Sequence, residues 1–486
     1  MKIVKDLLYK VAIEGVVGKT STRVNNIVFD SRKVVENSLY VAQKGVQVDG
    51  HKYIDQAIEN GARVIICERL PDHCQDHVVY VLVKNASEAL GRIAANFFEN
   101  PSEKLVLIGV TGTNGKTTIA SLLYELFMSE GYACGLLSTV KICLGAERLD
   151  TSYTTPDSIT INRYLKRMVE AGISHCFMEV SSHGLDQNRV EGLTFAGGVF
   201  TNLTHDHLDY HGDFKNYRNI KKSFFDGLPK TAFALTNLDD KNGAYMMQNT
   251  VAKKYSYATK NYADFKAQIL ECQFSGMLLK IQAQEVWTKL IGNFNAQNLL
   301  AVYATAILLD LKPLTILKTI SELESIEGRF ETFQTPNQVT VVIDYAHTPD
   351  ALENVLKTIN RIRTRNEKLI TVVGCGGNRD QEKRPIMGRK ATEWSDQVIF
   401  TSDNPRDEDP AMILSDIIKG VPAEHYKKTL KITLREEAIA MAGKLVKPGD
   451  IVLIAGKGHE TYQEIKGKKI PFSDLKVAKQ FFLNTD

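Results

Sequence analysis

The sequence is poor in the features that mark secreted, zinc-stabilised and membrane proteins. Its seven cysteines are odd in number and form no C-x-x-C pair, which argues against a disulfide framework and a structural zinc site. No apolar run approaches the roughly 20 residues that span a bilayer, and the opening MKIVKDLLYK lacks the apolar core of a signal peptide. A net charge of +3 gives no reason to expect nucleic acid or a membrane surface as a partner. We therefore expect a protein of the reducing cytoplasm.

Length and apolar patterning indicate an α/β protein with three domains. At 486 residues the chain exceeds what one hydrophobic core usually supports. Runs such as KLVLIGV, GGVFTNL and DIVLIAG are apolar throughout, which suits strands buried on both faces of a mostly parallel sheet. We predict an N-terminal domain over 1–100, a central P-loop-type domain over 101–332 and a C-terminal Rossmann-like domain over 333–486.

A phosphate-binding loop is predicted in LIGVTGTNGKTTIASLLYELF (107–127), which reads as a strand, a glycine-rich turn and a helix. Gly112 and Gly115 let the backbone turn its N–H groups toward an anion at the helix N-terminus. Lys116 would reach the β- and γ-phosphates of a nucleotide, and the Thr117 hydroxyl would bind Mg²⁺. A chance Gly-Lys-Thr in a turn is the alternative, and the register of strand, turn and helix disfavours it.

Two further strand ends carry acidic and imidazole groups. HCFMEV (175–180) places Glu179 at the carboxyl end of an apolar strand, where α/β sheets place ligand-binding groups and a carboxylate can hold Mg²⁺. TNLTHDHLDYHGDF (201–214) carries three histidines and three aspartates within ten residues. A single histidine would more often be a packing group, but this density indicates a site.

The order of the motifs resembles that in the Mur ligases, the ATP-dependent amino-acid ligases of peptidoglycan synthesis, and most of all the MurE type. The motifs are GTNGKTT, MEVSSHGLDQNRV, TNLTHDHLDYHG, GNFNAQNLLA, EGRFE and DYAHTPDAL, with FDSRKV and VQVDGHKYI nearer the start. The common P-loop motif has a glycine where Val110 stands. The family's phosphate loop has the shape of Gly112–Thr118, which accounts for this departure.

The resemblance implies a site for ATP and two Mg²⁺ ions. The matching phosphate-loop residues are Gly112, Thr113, Asn114, Gly115, Lys116, Thr117 and Thr118. Thr117 and Glu179 would hold one Mg²⁺; Glu179, His207 and Lys221, the last as its carbamate, would hold the other. Lys116, Glu179, His207 and Lys221 would form the catalytic set.

Further positions match family residues that surround ATP. They are Asn298, Arg329, Asp344 and His347. From the residues alone, Asn298 would be a helix-surface amide, Arg329 a solvated loop charge and Lys221 a surface cation. Lys222 is the alternative in register for Lys221.

The resemblance also implies a UDP-linked muramoyl-peptide and an amino acid as substrates. Ser31 matches a residue near the nucleotide-sugar. The peptide positions are Thr154, Thr155, Ser181, Gln187 and Arg189. The amino-acid positions are Arg379, Asp403, Asn404, Pro405, Arg406, Gly456 and Glu460.

The DNPR segment (403–406) resembles the signature of members that add meso-diaminopimelate. This substrate is lysine with a second carboxylate at its far end, so Arg406 would favour it and repel the ε-ammonium of lysine. From the residues alone, Asp403-Asn404-Pro405 is equally a turn, and Asp409-Pro410 reads as the start of a helix.

The implied reaction is addition of meso-diaminopimelate to the D-glutamate γ-carboxylate of UDP-N-acetylmuramoyl-L-alanyl-D-glutamate through an acyl phosphate, by a monomer. Three alternatives stay open at this point. They are a lysine-adding enzyme of the same family, a folylpolyglutamate-synthetase-like ligase, and a P-loop ATPase module that joins nothing. FDSRKV disfavours the second, and the motifs TTPD, SSHGLDQNRV and DNPR disfavour the third.

Overall fold

Three large sheets follow one another along the chain in the computed structural model, which describes residues 1–45, 48–151 and 153–483. The N-terminal elements are β1 (Lys2–Ile3), α1 (Val4–Leu7), β2 (Ile13–Val17), β3 (Arg23–Val24), β4 (Asn26–Val28), β5 (Ser38–Val41), α2 (Ile54–Glu59), β6 (Ala62–Cys67), β7 (Val79–Val83) and α3 (Ala86–Phe97). Five of the strands form a sheet in the order β2-β7-β6-β5-β4, parallel except for β2. Short 3₁₀ helices cover Ser31–Lys33 and Gly50–Tyr53.

The central sheet has eleven strands. Its elements are β8 (Val106–Thr111), α4 (Lys116–Ser129), β9 (Cys134–Leu137), β10 (Ile142–Leu144), β11 (Glu147–Leu149), α5 (Ser158–Glu170), β12 (His175–Glu179), α6 (Ser182–Asp186), β13 (Gly197–Phe200), α7 (Leu208–His211), α8 (Phe214–Asp226), β14 (Phe233–Asn237), α9 (Gly243–Met246), β15 (Lys253–Ala258), β16 (Phe265–Gln273), β17 (Gly276–Ile281), β18 (Gln284–Thr288), α10 (Asn293–Leu308) and α11 (Pro313–Glu322). The order is β11-β10-β9-β12-β8-β13-β14-β15-β16-β17-β18. The strands from β9 to β16 in this order are parallel, and antiparallel hairpins extend both edges.

The third sheet has six strands. The elements are β19 (Glu331–Gln334), β20 (Thr340–Asp344), α12 (Pro349–Ile362), β21 (Leu369–Val373), α13 (Lys383–Trp394), β22 (Gln397–Phe400), α14 (Pro410–Ile418), β23 (Thr429–Lys431), α15 (Arg435–Leu445), β24 (Ile451–Ala455), β25 (Tyr462–Ile465), β26 (Lys468–Pro471) and α16 (Asp474–Leu483). The order is β19-β20-β24-β21-β22-β23, parallel except for β19, and β25 pairs with β26.

The predicted α/β class with three sheet-containing regions is confirmed. The parallel strands are apolar on both faces because helices cover both sides of each sheet, as the fully buried β8 residues Leu107, Ile108 and Val110 show. β19 begins at Glu331, just before the limit predicted at residue 333, and the domain limits themselves stay a prediction. Over the described residues, no helix combines the length and apolarity that crossing a bilayer requires.

Helix starts follow the capping chemistry expected of their sequences. At α14, Asp409 is the N-cap, and its side chain accepts a hydrogen bond from the backbone N–H of Ala411 at 2.9 Å. Pro410 occupies the first turn, where its missing N–H costs nothing. The start of a helix at Asp409-Pro410 is therefore as predicted.

We expect Asp409→Ala to destabilise the C-terminal region by about 1 kcal/mol, because an N–H of the first turn of α14 loses its acceptor. Faster hydrogen exchange in α14 and an earlier urea transition would report the loss. Asp407→Ala is the matched control, since Asp407 is equally exposed and stands outside the helix. Equal effects of the two substitutions would contradict the capping role.

Candidate active site

The carboxyl ends of parallel strands from the central and C-terminal sheets face a common space. β8 leads into the phosphate loop, β12 ends at Glu179, and β20 ends at Asp344. This is the edge at which α/β sheets bind ligands. Two adjoining cavities lie there, a main cavity of about 440 Å³ and a second cavity of about 380 Å³.

Most residues predicted for the site line the main cavity. They are Thr113, Asn114, Gly115, Lys116, Thr117, Thr154, Thr155, Glu179, Ser181, Arg189, His207, Lys221, Arg329, His347, Arg379, Asp403, Asn404, Arg406, Gly456 and Glu460. Thr118, Asn298 and Asp344 line the second cavity. Gly112, Ser31, Gln187 and Pro405 line neither.

The phosphate loop curls because two glycines adopt backbone angles that L side chains rarely take. The φ angle is +147° at Gly112 and +86° at Gly115. A Cβ on Gly115 would also lie 2.6 Å from Asn298 Oδ1. Lys116 Nζ donates to the carbonyls of Gly112 at 3.0 Å and Thr113 at 2.7 Å, so its ammonium is held over the loop. Burial lowers the pKa of Lys116.

Glu179 is a buried carboxylate with spare coordinating capacity. The residue is only 1% exposed, and its Oε1 accepts a hydrogen bond from the Thr139 backbone N–H at 2.7 Å. Within the described part of the chain, Oε2 has no hydrogen-bond partner. A buried, unsatisfied carboxylate oxygen is costly unless a cation or donor meets it, so Glu179 suits a metal ion.

Lys221 shares this buried region, contrary to the surface position that the residues alone suggested. It is 1% exposed, and its Nζ donates to the Gly112 carbonyl at 2.8 Å, the same oxygen that Lys116 contacts. Burial, with the neighbouring Lys116 charge, holds the pKa of Lys221 well below its usual range. The adjacent Lys222 instead pairs with Asp226 at 2.7 Å, so the structure places Lys221, not Lys222, at the cavity.

His207 has a left-handed backbone (φ +55°) and lies beside Asp206, with 3.4 Å between His207 Nε2 and Asp206 Oδ2. Burial in the cavity lowers the pKa of His207, and Lys116 and Lys221 add to this effect. A neutral imidazole is the form that binds metals.

Arg329 and Asp344 connect the central and C-terminal regions. Arg329 Nη2 donates to the Thr117 hydroxyl at 3.2 Å, and the guanidinium lies over the Tyr345 ring. Asp344 accepts the backbone N–H groups of Phe330 and Ala346, both at 2.7 Å. Burial raises the pKa of Asp344 to about 6. Arg329 thus contacts both Thr117 of the phosphate loop and Tyr345, the residue that follows β20.

The peptide-side residues form their own network. Arg189 Nη1 donates to the Thr155 carbonyl at 2.6 Å, and its Nε and Nη2 both donate to Gln187 Oε1. The Thr155 hydroxyl donates to the Glu179 carbonyl at 2.9 Å. Gln187 therefore orients Arg189 from outside the main cavity.

The C-terminal residues arrange two charges of opposite sign. Asn404 Nδ2 donates to Glu460 Oε2 at 2.8 Å, and the fully buried Lys457 donates to Asn404 Oδ1 at 3.0 Å and to Glu460 at 2.6 Å. Arg406 Nη1 donates to the Gly377 carbonyl at 2.8 Å. Glu460, which already pairs with Lys457, and Arg406, which pairs with Glu464, thus line the same cavity as its acidic pole and its basic pole.

Some residues at the cavity were missed from the sequence. They include Thr139, Asp206, Tyr217, Lys383 and Tyr345 at the lining, and Lys457 behind it. Lys457 follows the predicted Gly456, and Asp206 lies in the histidine-rich segment 201–214, so proximity to predicted residues could have found them. Thr139 contacts Glu179 through its backbone N–H, which no residue type predicts.

Comparisons with known proteins place the chain in one family along most of its length. Family models match three segments. They are described as "Mur ligase family, catalytic domain" over 23–98, "Mur ligase middle domain" over 110–306 and "Mur ligase, glutamate ligase domain" over 328–458.

Relatives agree along the full length. Proteins named UDP-N-acetylmuramoyl-L-alanyl-D-glutamate–2,6-diaminopimelate ligase are 52% identical in Cytophaga hutchinsonii, over 98% of both chains, and 50% identical in Phocaeicola vulgatus, over 100% of both. A solved structure of a ligase with the same name shares 31% identity, covers 99% of both chains and has a TM-score of 0.69. The chain therefore belongs to the Mur ligase family.

Proposed function

We propose that the protein is an ATP-dependent ligase that adds meso-2,6-diaminopimelate to UDP-N-acetylmuramoyl-L-alanyl-D-glutamate in peptidoglycan synthesis. The observation that carries this proposal is that one cavity holds the phosphate-loop Lys116, the carboxylate of Glu179 and the guanidinium of Arg406. Nucleotide chemistry and recognition of an acidic amino acid can therefore meet at one place. The names of the full-length relatives support the same reaction.

The main cavity offers charged groups of both signs to its substrates. Its cationic lining residues, which suit phosphate and carboxylate groups, are Lys116, Arg189, Lys221, Arg329, Arg379, Lys383 and Arg406, and its acidic lining residues are Glu179, Asp206, Asp209, Asp380, Asp403 and Glu460. The second cavity adjoins the phosphate loop and presents the amide of Asn298 and the carboxylate of Asp344. We assign this second cavity to the nucleoside of ATP, and we assign Ser31 of the N-terminal domain to the nucleotide-sugar of the other substrate.

The residues present also fit Mg²⁺. Thr117, Glu179, His207 and a carbamylated Lys221 would supply oxygen and neutral imidazole ligands, and the free Glu179 Oε2 is the group that most needs a cation. Bound Mg²⁺ neutralises phosphate charge and so favours attack by an anionic nucleophile.

The protein groups then act in two steps. The γ-carboxylate oxygen of the D-glutamate attacks the γ-phosphorus of ATP, the bond to the β,γ-bridging oxygen breaks, and ADP leaves. Lys116 at the phosphate loop offsets the negative charge that builds on the transferred group. The neutral amine of diaminopimelate next attacks the acyl carbon of the resulting acyl phosphate. The bond from this carbon to the phosphate oxygen breaks, and the nitrogen loses one proton as inorganic phosphate leaves.

The amino acid is held by the two poles of the C-terminal pocket. Arg406 pairs with the distal carboxylate through charge-assisted hydrogen bonds, and Glu460 pairs with an ammonium group. Arg189, oriented by Gln187, contacts an anionic group of the peptide substrate. The catalytic work of the protein is mainly positioning and charge neutralisation.

Lys221 is expected to carry a carbamate. Two lysine Nζ atoms converge on the Gly112 carbonyl oxygen, and two buried cations side by side repel each other. Burial lowers the pKa of Lys221 and so favours its neutral amine. Reaction of this amine with CO₂, with loss of one proton, gives an anionic carbamate that can bind Mg²⁺. With ¹³C-bicarbonate, a carbamate carbon signal should appear in the wild type and in Lys222→Met, and should vanish in Lys221→Met. A signal retained in Lys221→Met would contradict this role.

An amino-acid panel tests the proposed function. With ATP, Mg²⁺ and UDP-N-acetylmuramoyl-L-alanyl-D-glutamate, phosphate release should depend on meso-diaminopimelate and be much slower with lysine or ornithine. Faster turnover with lysine would indicate the lysine-adding activity. ADP release that needs neither the UDP-linked substrate nor an amino acid would overturn the ligase proposal.

We also propose that the enzyme works in the cytoplasm as a monomer, because its nucleotide substrates are cytoplasmic metabolites and one chain supplies every residue assigned above. Light scattering on a sizing column should give a mass near 54.3 kDa. A stable mass of twice that value would exclude the monomer.

A further inference from the structure

A cluster of side chains of the types that bind metals lies where the central and C-terminal regions meet, outside the residues assigned to Mg²⁺. His205 lies on the loop between β13 and α7, and Asp380 and Glu382 lie on the loop between β21 and α13. One potential ligand atom from each residue falls within 4.8 Å of the other two. His205 belongs to the histidine-rich segment but has no part in the proposed reaction.

Asp380 is the most buried and best fixed residue of the cluster. Its side chain is 10% exposed, and Oδ1 accepts the backbone N–H of Glu382 at 2.9 Å, which fixes the carboxylate. Oδ2 is buried and, among the described residues, makes no hydrogen bond. His205 Nε2 lies 3.3 Å from this oxygen. A carboxylate oxygen that is withdrawn from water and faces an imidazole nitrogen needs a proton or a cation between or beside them.

The spacing fits two ligands of one metal ion. Nitrogen and oxygen ligands stand about 2.0–2.2 Å from Zn²⁺, so neighbouring ligand atoms at tetrahedral or octahedral angles are roughly 3–3.5 Å apart. The 3.3 Å between His205 Nε2 and Asp380 Oδ2 is within that range. Glu382 is exposed, so its side chain is free to complete the set from the solvent side.

We propose that His205, Asp380 and Glu382 form a binding site for a divalent transition metal such as Zn²⁺. One imidazole and two carboxylates are a donor set for Zn²⁺ and its first-row neighbours, whereas Mg²⁺ prefers oxygen ligands alone. The three-residue set leaves room for water as a further ligand. It shares no residue with the Thr117, Glu179, His207 and Lys221 set.

The consequence is a metal-dependent link between two parts of the chain. An ion held by both loops stabilises the arrangement in which the loops are close. The stabilisation equals the difference between the binding free energies of the ion in the close and the separated arrangements. Asp380 also lines the main cavity, next to Arg379. Metal binding at this cluster would therefore hold together the two regions that surround the substrates.

The competing explanation is a simple ion pair between protonated His205 and Asp380. The substitution His205→Arg distinguishes the ion pair from the metal site, because arginine keeps a positive charge beside Asp380 but cannot bind the metal. Both His205 and Glu382 are exposed, so Glu382→Gln serves as a second variant that leaves the fold intact. His73→Arg, at an exposed histidine of the N-terminal region, is the matched control.

The test is equilibrium dialysis of each full-length protein against Zn²⁺ with Mg²⁺ in excess and without ATP or substrates. The wild type and His73→Arg should retain one zinc ion per chain more than His205→Arg, and Glu382→Gln should bind this ion more weakly. Zn²⁺ should also raise the melting temperature of the wild type more than that of His205→Arg. Equal zinc content in wild type and His205→Arg would overturn the proposal. Because no substrate is present, either outcome is independent of the proposed ligase reaction.

Discussion

Replacing Lys116 by methionine should reduce ligation by roughly 10³-fold or more, since the substitution removes the only charge that the phosphate-loop residues carry to the transferred phosphate. Methionine keeps the length and the apolar stem of lysine. The loss would therefore report the missing ammonium and not a cavity in the protein. Rapid-quench measurement of ADP formation with both substrates present would place the defect before or at phosphate transfer.

The structure indicates that this substitution should reduce activity without unfolding the protein. Lys116 Nζ donates only to the carbonyls of Gly112 and Thr113 among the described residues. Without Lys116, the Gly112 carbonyl keeps its hydrogen bond from Lys221 Nζ, and Thr113 lines the main cavity. The melting temperature should therefore change little. Burial disfavours the ammonium of Lys116 in the free protein, and a bound polyphosphate reverses that preference, so the charge is worth most when ATP is present.

Lys104→Met is the control, because Lys104 is an exposed lysine just before β8. It should leave turnover unchanged. Retention of wild-type turnover in Lys116→Met would remove the lysine from the reaction and with it the assignment of the loop to ATP.

The elements that could be predicted are those specified by a few neighbouring residues. The strand, glycine turn and helix around Lys116 are local in sequence, and so is the start of α14 at Asp409-Pro410. Glu179 was placed correctly at the end of β12 because an apolar run followed by one acid marks a strand end. Local rules of backbone geometry and burial are enough in these cases.

The rest depends on contacts between distant segments. Two adjacent lysines, Lys221 and Lys222, are both buried on α8, and no periodicity indicates that one faces the phosphate loop while the other pairs with Asp226. The contact of Arg329 with Thr117 spans the junction between two sheets. Resemblance to a family supplied the roles of these residues, while the burial of Lys221 and Asn298 corrected the surface positions that the residues alone suggested.

The second large effect is expected at the amino-acid pocket. Arg406→Met should lower kcat/KM for meso-diaminopimelate. The corresponding rise in activation free energy should be about 2–5 kcal/mol, which is the loss for truncating one partner of a buried charge-assisted pair. The Arg406 side chain is 22% exposed, so solvent screening favours the lower end, roughly 30-fold. The value for lysine should not fall, because lysine has no distal carboxylate.

The geometry around Arg406 shows why its guanidinium is available to a substrate. Nε lies 3.2 Å from Glu464 Oε2 and Nη1 donates to the Gly377 carbonyl, while Nη2 makes no hydrogen bond to a described residue. The backbone is fixed at φ +51°, with its N–H bonded to the Glu464 carbonyl and its carbonyl accepting from Lys466 N–H. Protein contacts therefore aim the guanidinium and leave one edge free for a carboxylate.

Two further variants separate recognition from loop structure. Arg406→Lys keeps the charge but loses the planar pair of donors, so its loss for meso-diaminopimelate should be smaller than that of Arg406→Met. Glu464→Gln removes the charge that holds Nε and leaves the guanidinium in place, so it should have the mildest effect of the three. The KM for ATP should stay constant throughout, because Arg406 belongs to the amino-acid end of the cavity. If Arg406→Met lowered kcat/KM equally for meso-diaminopimelate and lysine, the arginine would be a support for the loop, and the choice of the diamino acid would have to be made elsewhere.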